Sequence, residues 1–157
     1  MFKKILVPLD GSELAAKILP YVENLAKNQN TKVILMTTSH FPGAVGLITK
    51  NTLKQIQADE KASSEKYLGR IASDLQTSGI DVDWVYKEGL ASTQIVATAK
   101  EQGADLIAMA THTEGDVAWN LGSVSEKLMK QTTVPVLLLP VMEMDLPSVK
   151  PEWFLGA

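Results

Sequence analysis

Gly122, Ser123 and Ser125 stand at the head of a helix-periodic stretch that runs to Gln131, close behind an apolar run, Ala104 to Met109, and the polar turn Ala110-Thr111-His112-Thr113. The first turn of a helix leaves backbone N–H groups unpaired and carries partial positive charge. A glycine and two hydroxyls placed there, with the amide of Val124, can hold an anion such as a phosphate without any lysine. The same residues have a plainer use, because Ser123 can cap the helix and Gly122 can permit the turn. Taken alone, the pattern favours the cap.

Asp10 is the second candidate. It closes the run Ile5-Leu6-Val7-Pro8-Leu9 and precedes Gly11-Ser12-Glu13. Its carboxylate can accept from a ribose hydroxyl or an adenine amine, or it can cap the following helix. His112 would attract a search for a general base, but nothing in the sequence supplies a nucleophile elbow, a triad spacing or an orienting acid. It reads as a solvated loop residue, and with His40 it makes no metal spacing. Glu114 and Asp116 flank Gly115 in the same loop, where their charges repel a triphosphate unless Mg²⁺ intervenes. Their plainer reading is a soluble surface.

These residues need a frame. Ile5–Val7, Val33–Met36, Leu106–Met109 and Val134–Leu139 are nearly continuous apolar runs, which predict strands covered on both faces. Val82–Tyr86 alternates, as an edge strand does. Between them, Leu14, Ile18, Tyr21, Val22 and Leu25 recur at helical spacing, as do Leu53, Ile56, Tyr67, Leu68, Ile71 and Leu75. Shorter helices are expected over Thr93–Gln102 and Ser123–Gln131, with Gly79 and Gly103 at C-terminal caps.

Strict β-α alternation with short connections predicts an α/β fold, a five-stranded parallel doubly wound sheet. With the order 3-2-1-4-5, winding reverses between strands one and four and opens a crevice beyond their carboxyl ends. Pro8, Leu9 and Asp10, then Thr37 and Thr38, then Ala110 to Thr113 arrive there, and the Gly122–Ser125 helix start folds over it. The segment Phe41–Gly46 reads as a loop near the same edge. Met36 and Met109 read as core filler.

Composition limits the alternatives. The chain has 157 residues, 45% of them hydrophobic, enough for one core. Fifteen basic and eighteen acidic residues give a net charge of −3 with no block of either sign. That excludes an electrostatic footprint for nucleic acid. No run is long enough to span a membrane, and the N-terminal apolar run is too short for a signal peptide. The lack of cysteine suits a reducing, cytoplasmic setting.

The segments Lys4–Glu13, Gly103–Ile107, Leu121–Lys127 and Val134–Leu137 occur in the order and with the content of the universal stress protein family, which the chain resembles from Met1 to about Pro140. The resemblance implies a universal-stress-protein-like domain over residues 1–140 and a tail over 141–157. It also implies a homodimer, paired antiparallel through the Val134–Leu139 edge strand, that acts through protein partners in the stress response. One branch of the family binds ATP and another does not. In the binding branch a Gly-X-X-Gly, nine residues and a Gly-Ser or Gly-Thr follow strand four, with an aspartate after strand one at the nucleotide.

Here Asp10 matches that aspartate and Gly122-Ser123 the final pair. Ala110 stands at the first glycine and Thr113 at the second, and only eight residues, Glu114 to Leu121, separate Thr113 from Gly122. A β-branched Thr113 resists the positive φ that glycine supplies, although Gly115 can restore the turn in a shifted register. The leading expectation is a non-catalytic regulatory protein that binds ATP, with Mg²⁺ where the acidic loop requires it. Pro8, Leu9 and Asp10 then lie at ribose and adenine, Thr37 and Ala110 at the base, and Thr111, His112, Thr113 and Gly122–Ser125 around the phosphates. The alternative is a non-binding family member that serves as a homodimeric interaction module. A slow ATP hydrolase would need a water-positioning group, for which only His112, Glu114 or Asp116 would serve.

The tail changes character. Its prolines exclude regular structure, and Trp153 and Phe154, with no place in the sheet pattern, either dock on the domain or a second copy or remain free.

Overall fold

The computed structural model describes residues 1–39, 49–112, 123–141 and 149–155. Five strands form one parallel sheet: β1 (Lys4–Pro8), β2 (Lys32–Ser39), β3 (Asp81–Glu88), β4 (Leu106–His112) and β5 (Val136–Val141), in the spatial order β3-β2-β1-β4-β5. Alternation along each strand sorts its side chains between two cores. Val7, Val33, Leu35 and Ala108 face helices α1 (Glu13–Ala16), α2 (Leu19–Ala26) and α3 (Lys50–Thr77). Leu6, Ile34, Met36, Ile107 and Met109 face α4 (Ala91–Gln102) and α5 (Ser123–Gln131). Both faces are covered, as a parallel sheet demands. The alternating Val82–Tyr86 segment lies in edge strand β3, with Trp84 37% exposed.

Ends are fixed by local chemistry. Beyond α3, Gly79 adopts φ +83, its N–H bonds to Gln76 O, and Ile80 N–H bonds to Leu75 O. Gly103 closes α4 in the same way at φ +65, with Ala104 N–H on Ala99 O. Both are Schellman-type ends that need a left-handed residue, which glycine enters without a steric cost.

Several sequence expectations are corrected. The single helix over Leu14–Leu25 is two: Pro20 has no N–H to give and its ring would collide with the carbonyl four residues back, so α2 restarts at Leu19 with Pro20 in its first turn. Tyr21 and Leu25 of that stripe are 44% and 38% exposed. In α3 only the C-terminal half packs, through Tyr67, Leu68, Ile71 and Leu75, while Ile56 is exposed. The reason is length, since 28 residues of helix reach about 42 Å whereas an eight-residue strand reaches about 26 Å. The last strand is shifted from Val134–Leu139 to Val136–Val141 and admits Pro140, which an edge strand tolerates because its outer N–H has no ladder partner.

The tail is also corrected. Pro151–Trp153 form a 3₁₀ turn, and Trp153 is buried at 3% exposure among the residues that α1, α2 and α3 contribute. Proline suits the first position of such a turn, where no N–H is required. The Phe41–Gly46 segment, His40, Glu114–Asp116 and Met142–Pro147 lie outside the described residues.

Candidate functional site

β1 and β2 stay paired along their whole common length, Lys4↔Lys32 to Pro8↔Met36. β4 and β5 stay paired as far as His112↔Val141. The register between β1 and β4, however, covers only Ile5↔Leu106 and Leu6↔Ile107. Beyond Leu6 the two central strands part, because the chain continues from β1 to helices on one face and from β4 to a helix on the other. Their amino ends are held together by Asp105, whose Oδ2 and Oδ1 accept the N–H groups of Lys3 and Lys4, each at 2.9 Å.

The parting leaves a cavity of about 260 Å³ at the carboxyl ends. Pro8, Leu9 and Asp10 form one wall, and Ala110, Thr111 and the first turn of α5, Ser123–Ser125, form another. Its apolar floor comes from Met36, Met109 and Ile95, with Ala91 at the first position of α4. Most of the expected site is therefore brought together: Pro8, Leu9, Asp10, Ala110, Thr111, Ser123, Val124 and Ser125. His112 ends β4, so it stands in the strand rather than in the loop where the sequence reading placed it. Thr113 and Gly122 lie outside the described residues.

Thr37 is a correction. It is buried at 5% exposure on the face of Val33 and Leu35, and its hydroxyl donates to Leu9 O at 2.6 Å. Thr38, one residue on, turns to the Met36 face and lines the cavity, half-buried, with no hydrogen-bond partner among the described residues. A two-residue period settles which threonine faces the cavity, and counting alternate positions from Met36 would have found it. Met36 and Met109 are core residues and cavity floor at once, which the sequence reading missed along with Leu14, Ala15, Ala91 and Ile95.

The polar groups differ in how far they are already engaged. Leu9 N–H bonds to Met36 O at 2.7 Å and Leu9 O takes the Thr37 hydroxyl, so both backbone polar groups of Leu9 are already engaged, and its side chain packs in the core on the face of Val7 and Leu35. Asp10 is exposed, and its Oδ1 accepts both the N–H and the hydroxyl of Ser12. Ser12, not Asp10, caps α1 by accepting Ala15 N–H at 3.0 Å. Asp10 Oδ2 takes no hydrogen bond from the described residues and stays available at the rim. Ser125 is 1% exposed and its Oγ is 2.9 Å from Thr111 Oγ1, so this pair ties α5 to the end of β4. Ser123 is exposed at the first position of α5, inside the helix rather than at its cap. The amides of Ser123–Ser125 thus lie in the turn where helical N–H groups lack partners within the helix.

Comparison with known proteins agrees with this frame. The model of the universal stress protein family matches residues 1–140. Universal stress protein YxiE of Bacillus subtilis is 30% identical over 148 residues, covering 88% of this chain and 99% of that protein. The solved structure of MJ0577, a protein of Methanocaldococcus jannaschii, superposes with a TM-score of 0.75 at 25% identity over 91% of this chain and 99% of that one. A universal stress protein in complex with cAMP superposes with a TM-score of 0.62 at 22% identity over 88% of this chain and 97% of that one.

Proposed function

The chain belongs to the universal stress protein family, and on that premise we propose that it is a regulatory, non-catalytic stress-response protein that binds an adenine nucleotide, ATP foremost, between β1 and β4. The observation that carries this reading is the parting of β1 and β4 after Leu6↔Ile107, which opens a mostly apolar slot lined by a few polar side chains. The slot suits a base. Met36, Met109 and Ile95 offer an apolar floor, and the Thr38 hydroxyl, bonded to none of the described residues, can hydrogen-bond a base edge.

Asp10 Oδ2 stands where a ribose hydroxyl can donate to it. The first-turn amides of α5 and the exposed Ser123 suit phosphate oxygens, which lie outside the slot. The fold neighbour in complex with cAMP supports an adenine nucleotide in this frame. Mg²⁺ would neutralise a triphosphate beside Glu114 and Asp116, and the cytoplasm is the setting we assign.

A second reading, the interaction module, is favoured by Ala110 in place of a glycine and by the engaged backbone of Leu9. Both readings include a homodimer through the outer edge of β5, where Leu137 is 38% exposed and the strand pairs with β4 on one side only.

Calorimetry of nucleotide-stripped protein with ATP, ADP and cAMP, repeated on Asp10→Ala and Ser123→Ala, separates the readings. Saturable heat that both variants weaken supports the nucleotide site. No heat from any of the three overturns the nucleotide site and favours the interaction module instead. Sustained phosphate release that His112→Ala abolishes would make the protein an enzyme.

A further inference from the structure

Gly11 lies between the exposed carboxylate of Asp10 and the helix-capping Ser12, and it is held in a left-handed conformation, φ +85. Within the loop, Asp10 Oδ1 accepts the N–H and the hydroxyl of Ser12, while the peptide of Gly11, the residue with the most backbone freedom, is also held from outside. The outside group comes from the far end of the chain. Leu155 N–H donates to Gly11 O at 2.7 Å, and Leu155 Cδ1 lies 2.9 Å from where a Cβ on Gly11 would stand.

Leu155 is itself 43% exposed, so burial of its side chain is not what its position achieves. It is delivered by Trp153, which is 3% exposed, donates its indole N–H to Asp74 at 2.7 Å and accepts the Tyr67 hydroxyl on its carbonyl at 2.9 Å. Tyr67 lies close enough to the loop for its charge and backbone to act on the phenol. Burial pushes its phenol well above the usual range, the charge of Asp10 adds to that, and Arg70 and the Gly11 backbone oppose it. The docked segment lies beyond residues 1–140, where the family match ends.

We propose that residues 149–155 are a positioning strap for the nucleotide site: Trp153 anchors the segment on α3, and Leu155 fixes Gly11 so that Asp10 meets the ligand already oriented. This rests on the nucleotide reading above. Orienting a loop before binding removes an ordering cost that the ligand would otherwise bear. By linkage, a bound nucleotide holds the strap down as strongly as the strap favours the nucleotide.

The test uses the full chain, Leu155→Pro, which removes the N–H that Gly11 O accepts, and a chain ended after Ser148, each with and without Asp10→Ala. Amide exchange over residues 11–16 without nucleotide is read first, then ATP affinity by calorimetry. We expect exchange there to quicken about tenfold in both altered chains and ATP affinity to fall about fivefold, the scale of a modest coupling between sites. In the Asp10→Ala background the Leu155 effect on affinity disappears, because there is no carboxylate left to orient.

Unchanged exchange overturns the strap, and so does an affinity loss that persists in the Asp10→Ala background. If the shortened chain fails to fold, Leu155→Pro decides, since the half-exposed side chain carries little of the core and Phe154 is already extended, as a residue before proline prefers. Absence of ATP heat from the unaltered chain would instead overturn the nucleotide reading, while exchange still decides whether the segment orders the loop.

Discussion

Trp153 and Asp74 are joined by a 2.7 Å hydrogen bond, indole Nε1 to Oδ2, across 79 positions of sequence. The same carboxylate oxygen accepts Lys150 Nζ at 3.0 Å, and the Lys150 ammonium stands 5.0 Å from the centre of the Trp153 ring. One acid on α3 therefore accepts from both Lys150 and Trp153, while the Trp153 ring enters the core beside Tyr67. The Lys150 pair is exposed and adds little, so the indole bond to a charged acceptor is the consequential one.

Asp74→Ala accordingly destabilises the protein by about 1–2 kcal/mol, since it leaves a mostly buried indole N–H without its acceptor. Urea unfolding followed by tryptophan fluorescence measures this. The native emission of the variant should also shift to the red as Trp153 loosens, and an unshifted spectrum with unchanged stability would refute the anchor.

The two adjacent threonines at the end of β2 should separate by function. Thr37→Val removes the bond to Leu9 O and lowers stability by about 1 kcal/mol. Thr38→Val leaves stability within about 0.5 kcal/mol, as expected where no bond among the described residues is lost. Its effect falls on nucleotide affinity, which weakens up to about tenfold, the equivalent of one hydrogen bond. Paired melting curves and calorimetric titrations test the contrast. The reverse assignment would place the base slot on the other face of the sheet.

Gly11→Ala should cost about 1–3 kcal/mol, because φ +85 is unfavourable for any residue with a Cβ. Part of the cost is collision with Leu155, so Leu155→Ala in the same chain should recover some of it. A double-mutant cycle with no coupling would show that the contact between the two is unimportant.

Acid stability should depend on Asp105. Burial pushes its carboxyl up, but the backbone N–H groups of Lys3, Lys4 and Asp105 itself, with the Lys3 charge, outweigh that and hold it below the ordinary carboxylate range. A carboxyl depressed in the folded state contributes stability that is full above its unfolded value, about 3.9, and is lost as pH falls through the lower folded value. Asp105→Asn places an amide N–H against a backbone N–H. Its stability deficit is therefore greatest near neutrality and shrinks below about pH 4. A deficit independent of pH across that range would contradict the role.

Periodicity made the architecture legible. Apolar runs of three to six residues separated by helical stripes admit few arrangements once parallel crossovers are right-handed, and β3-β2-β1-β4-β5 is one of the doubly wound orders left. The rim was legible for a related reason, since Asp10 follows the end of β1 and Ser123–Ser125 open the helix that follows β4, so chain polarity brings both to the carboxyl end of the sheet. Thr38 was named at the crevice but passed over for Thr37, because side-chain facing depends on register, and a one-residue error reverses it. Pro20 marked the break between α1 and α2, but a strong apolar stripe hid it.

Local order, then, was written in the chain: which segments become strands, which turns need Gly79 and Gly103, and which residues reach the carboxyl end of the sheet. Long-range pairing was not. That Trp153 docks on α3, that Leu155 closes on Gly11, and that β1 and β4 part after Leu6 depend on contacts between segments far apart in sequence. No period encodes such contacts, and their energy exists only once both partners are in place.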